Sequence, residues 1–327
     1  MRRDGCQMRF PESRILLFLQ RGDSMHTDGF LRAGCSFLGT MLLSSLLFSP
    51  EAIAGATLAK IRDTQTITVA YRETTAPFSY LDADKKPIGF TIDLCSKIIE
   101  GIRQELKLPQ LKVAYLAVTP STRIKAITSG QADLECGTTT NNAERRKQVA
   151  FTVPHFFAGV RMAVRTDSGI KNWINLRGKE VVTTKGTTTV KLLNDRNKVR
   201  VLALNLVDGN DHAESFSMLE KGQVAAFVMD DVILYGLRAN MTHPEEFAIV
   251  GDALSVEPYA IMLTKDDAEF KASVDRQMAD MQNDGDFRKI YSKWFMNPIP
   301  PRGKSMNMPM GYLLRDSILY PTDKIGD

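Results

Sequence analysis

Two segments roughly ninety residues apart repeat one pattern, and that repeat constrains the fold more than any other feature. Ala126–Cys136, AITSGQADLEC, and Met218–Val228, MLEKGQVAAFV, each read as a helix end, a Gly-Gln turn and a buried strand. A chain that carries one αβ unit twice folds most simply as two similar lobes, each a sheet with helices on its faces. Its 327 residues suit two domains, and 43% hydrophobic content supplies a core for each. The net charge of +4 is too small to imply a nucleic-acid partner.

The single long apolar run, Cys35–Phe48, has fourteen residues and is too short to cross a bilayer comfortably. Ala52-Ile53-Ala54 follows as a small-x-small cleavage site, so residues 1–54 are expected to be a signal peptide with an N-terminal extension, Met25 being an alternative start. The mature chain would begin near Gly55, on the far side of a membrane. Cys6 and Cys35 leave with that segment, so a framework of disulfides is excluded. Cys95 in an apolar helix stripe and Cys136 in a strand read as buried small hydrophobes, with a single bridge between them as the open alternative. Neither has metal-ligand spacing, and no metal or cofactor is expected.

Candidate site residues fall where strands end. Thr66–Tyr71 alternates and is rich in β-branched residues, which predicts a first strand with Arg72 at its carboxyl end. Ile92, Cys95, Ile98, Ile99, Ile102 and Leu106 then recur at helical spacing, followed by a strand over Leu111–Val118 and a helix over Ser121–Ser129. Arg123 lies in that helix's first turn, where a cation opposes the macrodipole; it is either a surface residue or a contact for an anion. The strand GQADLEC runs into GTTTNNAER: Thr138 and Thr140 offer hydroxyls, Asn142 a cap, and Arg145 a planar fork for a carboxylate. Ligands of open α/β sheets bind at those strand ends. The plainer alternative is a capped helix with a solvated arginine.

Gly186-Thr187-Thr188 forms a second hydroxyl-rich turn, from strand into the helix expected over Thr187–Asn194, and it lacks the GxxxxGK[ST] pattern of a nucleotide loop. His212 precedes a helix over Ala213–Glu220, Asp230 closes the strand AAFVM, and Ser255–Leu263 returns the chain to the first lobe. Helices are expected over Phe270–Met281 and Phe287–Phe295, and the tail from Asn297 is expected to wrap the surface without a regular period.

YRETTAPFSY (71–80), ECGTTTNNAER (135–145), KGTTT (185–189), DHAESF (211–216), FVMDD (227–231) and KWFMNPIPP (293–301) together resemble the periplasmic glutamate/aspartate-binding proteins of ABC amino-acid importers. The resemblance covers the mature chain in order. It implies an α/β, two-lobed periplasmic-binding-protein fold of type II, each lobe a mixed sheet flanked by helices. Lobe 1 would comprise 55–160 and 257–327, lobe 2 would comprise 161–256, and the hinge crossovers would fall near 158–164 and 255–262. By the same resemblance Arg145 grips the α-carboxylate with Thr140, and Asp230 pairs with the ammonium with Thr138. Arg72 and Arg123 face the side-chain carboxylate, Gly186, Thr187 and Thr188 form the second-lobe anion loop, and His212 touches ligand. The implied partners are L-glutamate or L-aspartate and an inner-membrane ABC permease, with a monomeric protein in the periplasm. Two positions depart from the pattern: Pro120 replaces a serine, and Lys185, in place of a small residue, is expected to add positive charge near the pocket.

Three arginines, with His212 as a further candidate cation, against one aspartate give a surplus of positive charge suited to two carboxylates and one ammonium. An exported dehydratase-like enzyme on the same fold is the main alternative, with Glu73 its only evident general acid or base. A chemosensory ligand-binding domain would share the same clamp.

Overall fold

The computed structural model describes residues 55–199 and 202–324. The expected leader over 1–54 lies outside the described residues. Thr66–Tyr71 forms a strand over the span its alternation predicts, second in a five-stranded sheet. The order is Lys112–Ala117, Thr66–Tyr71, Leu134–Glu135, Met262–Thr264, Val149–Phe151; the first three run parallel and Met262–Thr264 runs antiparallel to both neighbours. A second sheet orders Asn205–Gly209, Glu180–Thr184, Ala226–Asp230, Phe156–Arg165 and Phe247–Val250. The first three strands are again parallel, and Phe156–Arg165 runs antiparallel to its neighbours. The repeat read from sequence is present as two mixed sheets, each flanked by helices, which is the expected two-lobed α/β architecture.

Each Gly-Gln turn enters a strand near the centre of its own sheet. Gly130 at φ +71° and Gly222 at φ +68° sit in the left-handed region that favours glycine, and this conformation turns the chain from helix to strand. The strand of the first copy is shorter than expected, Leu134–Glu135 only, and its ladder ends with Cys136 N donating to Ala70 O at 2.9 Å.

Two strands pass between the sheets and pair with each other. Phe156–Gly159 lies antiparallel to Val256–Tyr259, while the rest of Phe156–Arg165 belongs to the second sheet. An aromatic cluster of Phe78, Phe90, Phe156, Tyr259, Tyr291 and Phe295, with centroids 4.4–6.5 Å apart, packs where these crossings enter the first lobe. Such edge and offset contacts add stability beyond buried area.

The helix Phe90–Glu105 buries Ile92, Cys95, Ile98, Ile99 and Ile102, the stripe that its spacing predicts. Two readings need correction. Cys95 and Cys136 are joined in a disulfide, because the buried stripe of this helix brings the two Cα atoms to 6.3 Å at the end of Leu134–Glu135. The tail is also not irregular throughout: Tyr312–Leu319 is a helix that buries Leu314. No helix among the described residues is long and apolar enough to cross a membrane.

Candidate functional site

The site is built from strand ends of both lobes. In the first lobe, Arg72 follows Thr66–Tyr71 and its side chain is 1% exposed. Arg123 opens the short helix Arg123–Thr128 and is buried, so the helix-start cation faces the interior and not solvent. The helix expected over Ser121–Ser129 is shorter because Thr119–Thr122 forms a turn first. Asn142 caps Ala143–Arg146 through Oδ1, which accepts from the Arg145 backbone N–H at 2.9 Å. Arg145 itself is 7% exposed, which removes the solvated-arginine alternative.

Backbone carbonyls hold these guanidinium groups. Arg123 Nη1 donates to Thr138 O at 3.2 Å and Arg145 Nη1 donates to Thr140 O at 2.9 Å. The hydroxyl-rich loop after Gly137 therefore orients two arginines through its main chain. Arg72 Nη1 and Arg123 Nε are buried without a hydrogen-bond partner among the described residues. Burial, then the neighbouring Arg123 charge, pulls the pKa of Arg72 down to about 9, and the same two causes in the same order bring Arg145 to about 9. Unpaired, like-charged guanidinium groups held out of water favour an anionic partner.

The second lobe closes over them. Gly186 adopts φ +74°, and a Cβ there would stand 2.6 Å from Ser121 N and 2.7 Å from Pro120 O, so only glycine allows the loop to lie on the first lobe. Arg145 Nη2 donates to Gly186 O at 3.4 Å, a direct bond between lobes. Pro120, the departure from the family pattern, thus forms the surface on which this loop rests. Thr187 caps the helix Thr188–Lys198 without a side-chain hydrogen bond to it, and its Oγ1 donates instead to Thr184 O at 2.7 Å. The half-buried Thr188 directs its Oγ1 to Glu257 Oε2 at 2.9 Å. Lys185 is exposed, so it adds no charge inside the cluster.

His212 begins the helix His212–Glu220 and does not precede it, because Asp211 takes the capping position and accepts from Glu214 N at 2.9 Å. Its Nδ1 lies 3.0 Å from Thr184 Oγ1. Burial, and then Arg72 and Arg123, hold its pKa well below the ordinary value, so the ring is neutral. It does not contribute the positive charge that sequence counting offered as an option. Asp230 ends Ala226–Asp230, fully buried, with Oδ2 accepting from Tyr259 OH and Oδ1 without a partner. Burial, then Glu257, push its pKa well above the usual carboxylate range.

All ten residues expected from sequence meet in one cluster or on its rim, and three further groups join them. Glu135, 0% exposed, accepts from Thr139 Oγ1 at 2.6 Å, and its Oε1 lies beneath Gly137, 2.3 Å from where a Cβ would stand, so a side chain there would displace the carboxylate. Glu257 accepts from both Thr188 and Ser255, the latter at 2.7 Å, and Tyr259 binds Asp230. A signal for the acids existed: Glu135 lies between Leu134 and Cys136, and Glu257 between Val256 and Pro258, charges inside apolar strands that need a buried partner. Glu73, the enzyme alternative's carboxylate, is exposed. A cavity of about 340 Å³ borders the cluster and is lined in part by Thr140, Asn142, Thr188 and Glu257. A larger one, about 470 Å³, between Tyr235–Ala239 and Lys304–Pro309 shares no residue with the cluster. Among the described residues no group of three or more His, Cys, Asp or Glu side chains could hold a metal.

Residues 67–297 match the family model described as bacterial extracellular solute-binding proteins, family 3. The chain is 44% identical over 301 residues to the L-glutamate/L-aspartate-binding protein of Pseudomonas aeruginosa, covering 91% of this chain and 99% of the relative. It is 40% identical over 271 residues to the glutamate/aspartate import solute-binding protein of Escherichia coli K12, covering 83% and 90%. Among solved structures, an ancestral arginine-binding protein bound to arginine superposes with a TM-score of 0.63 at 31% identity, covering 71% of this chain and 98% of that one. The fold thus accommodates amino acids of opposite side-chain charge.

Proposed function

The chain belongs to the bacterial extracellular solute-binding proteins of family 3, and on that premise we propose that it captures L-glutamate or L-aspartate in the periplasm and delivers it to an inner-membrane ABC permease. The observation that carries the ligand class is the set of charged atoms in the buried cluster that have no partner among the described residues. Arg72, Arg123 and Arg145 face Glu135, Glu257 and Asp230, all buried. Glu257 is held by two hydroxyls beside the 340 Å³ cavity, and Glu135 answers one guanidinium in the pair Arg72 and Arg123. Arg72 Nη1 and Arg123 Nε, buried without a hydrogen-bond partner among the described residues, and the fork of Arg145 then remain for two carboxylates, and Asp230 Oδ1, likewise without a partner, for one ammonium. A buried charge left without its partner is worth about 3–5 kcal/mol. Glutamine would leave the donors of Arg72 and Arg123 without an anion, and arginine would set a further guanidinium against them.

Arg145 takes the α-carboxylate with Thr140, and Asp230 takes the ammonium with Thr138. Arg72 and Arg123 take the side-chain carboxylate, while the turn of Gly186, Thr187 and Thr188 and the neutral His212 complete the site from the second lobe. The lobes, 55–160 with 257–327 and 161–256, hinge at the paired crossings Phe156–Gly159 and Val256–Tyr259. Closure presents both lobe faces to the permease only when ligand bridges them. The protein acts as a monomeric carrier, not a catalyst. Thermal unfolding of the mature chain tests this reading: millimolar glutamate or aspartate raises the midpoint by several degrees and glutamine does not. A shift with glutamine and none with either acid contradicts it.

A further inference from the structure

Building on the assignment of Asp230 to the ammonium, we propose that Tyr259 is a positioning residue for ligand binding, using its phenol to fix Asp230 so that one carboxylate oxygen alone is presented to the ammonium. Tyr259 is 0% exposed and sits at the end of the crossing strand Val256–Tyr259, which pairs with Phe156–Gly159. Its hydroxyl donates to Asp230 Oδ2, and Asp230 Oδ1 is buried without a partner. A carboxylate with one oxygen saturated and the other free is directional, as an ammonium site must be to select one stereochemistry of substituents around the α-carbon.

The same residue is anchored on every side. Its backbone bridges to Thr140 within the first lobe, and its carbonyl accepts from His155 N at 2.8 Å. The ring meets Phe78 at 5.5 Å and Phe156 at 6.1 Å between centroids, in the aromatic cluster of the first lobe. Tyr259 therefore ties the second-lobe aspartate to the first-lobe loop that holds Arg145, through the strand about which the lobes turn. Glu257, two residues earlier on the same face, does the like for Thr188 at 2.9 Å.

The charged groups facing Asp230 are Glu257 from the crossing strand and Asp231 from the following helix, which oppose its ionisation, and Arg123 from the first lobe, which favours it. Arg145 also feels the Asp230 charge. The phenol supplies one of the few contacts that favour the ionised form, and the incoming ammonium supplies the next. Ligand binding should therefore release a proton wherever Asp230 is protonated in the free protein, and affinity should rise with pH until Asp230 is ionised before binding.

Titration calorimetry with glutamate from pH 5 to pH 8 tests this on Tyr259→Phe, Asp230→Asn and the double variant, with 2,3-difluorotyrosine at 259 as a second perturbation that keeps the ring and strengthens the donor. Tyr259→Phe is expected to weaken binding about tenfold at pH 7.5, the order expected for one hydrogen bond to a charged group, and to move the acid fall-off upward. Difluorotyrosine is expected to move it downward. In the Asp230→Asn background, Tyr259→Phe is expected to add less than twofold. An unchanged affinity and pH profile in both 259 variants overturns the proposal, as does an equal loss in the Asp230→Asn background. Normal binding by Asp230→Asn alone overturns the ammonium assignment itself, and the proposal with it.

Discussion

Replacing Arg145 with alanine should weaken every amino-acid ligand by the same large factor. Arg145 is almost fully buried, and its two terminal nitrogens already donate to Thr140 O at 2.9 Å in the first lobe and Gly186 O at 3.4 Å in the second. It thus joins the proposed carboxylate site to the second-lobe loop. Removing the cation leaves a buried ligand carboxylate unpaired, about 3–5 kcal/mol, which corresponds to roughly a hundredfold to several-thousandfold in dissociation constant. Arg145→Lys keeps the charge and loses the fork, so it should forfeit one charge-assisted hydrogen bond, about 1.5–3 kcal/mol or roughly ten- to a hundredfold. Calorimetry at pH 7.5 with glutamate, aspartate and glutamine reads all three. Because the α-carboxylate is common to every amino acid, the ratios between ligands should hold while the absolute affinities fall. Arg145→Ala binding glutamate within threefold of wild type would refute the assignment. So would a loss confined to the acidic ligands.

Arg72→Ala or Arg123→Ala should instead compress selectivity, lowering the glutamate-to-glutamine affinity ratio at least tenfold; competition dialysis measures it, and an unchanged ratio places the side-chain carboxylate elsewhere. His155 is buried among Phe78, Phe90 and Tyr259 with neither ring nitrogen bonded, and burial pushes its pKa down to about 3. Below about pH 6.5 the unfolded chain binds the proton that the folded chain refuses, so this residue's contribution is intact above pH 6.5 and is lost as the pH falls toward 3. Roughly 3 kcal/mol should go by pH 4, and urea titrations of His155→Phe at pH 7 and pH 4 should show that share of the acid loss abolished; an identical slope in wild type and variant contradicts the reading. The Cys95–Cys136 bridge spans a sequence separation of 41 residues, so its removal in Cys95→Ala/Cys136→Ala should lower stability by about 4 kcal/mol on the chain-entropy estimate. A midpoint unchanged in urea would show that the packing of Phe90–Glu105 suffices without it.

The lobes were legible because both copies of the helix, Gly-Gln turn and strand carry local signals: an amphipathic period, a left-handed glycine and an apolar run. The arginines were legible for a related reason, since each stands where a strand or loop delivers the chain to the ligand edge. What the sequence did not expose are groups whose meaning depends on distant partners. Glu135 reads as one odd letter in a strand until Thr139 and the guanidinium groups surround it. Glu257 and Tyr259 look like parts of a connection until the second lobe brings Thr188 and Asp230 against them. The disulfide was likewise open to sequence only as one of two alternatives, because helix packing and not spacing sets the Cys95 to Cys136 distance. Counting charges by motif therefore overstated the positive surplus: two buried glutamates were missed, and His212 was admitted as a cation that its burial keeps neutral.

The most direct test of the central claim is a calorimetric comparison of glutamate, aspartate, glutamine and arginine on the wild-type mature protein. The unpartnered donors of Arg72 and Arg123, with the unpartnered oxygen of Asp230 opposite, predict tight binding of an acidic ligand, glutamine weaker by at least roughly a hundredfold, and no heat from arginine. Tight binding of arginine with no response to either acid would contradict the account.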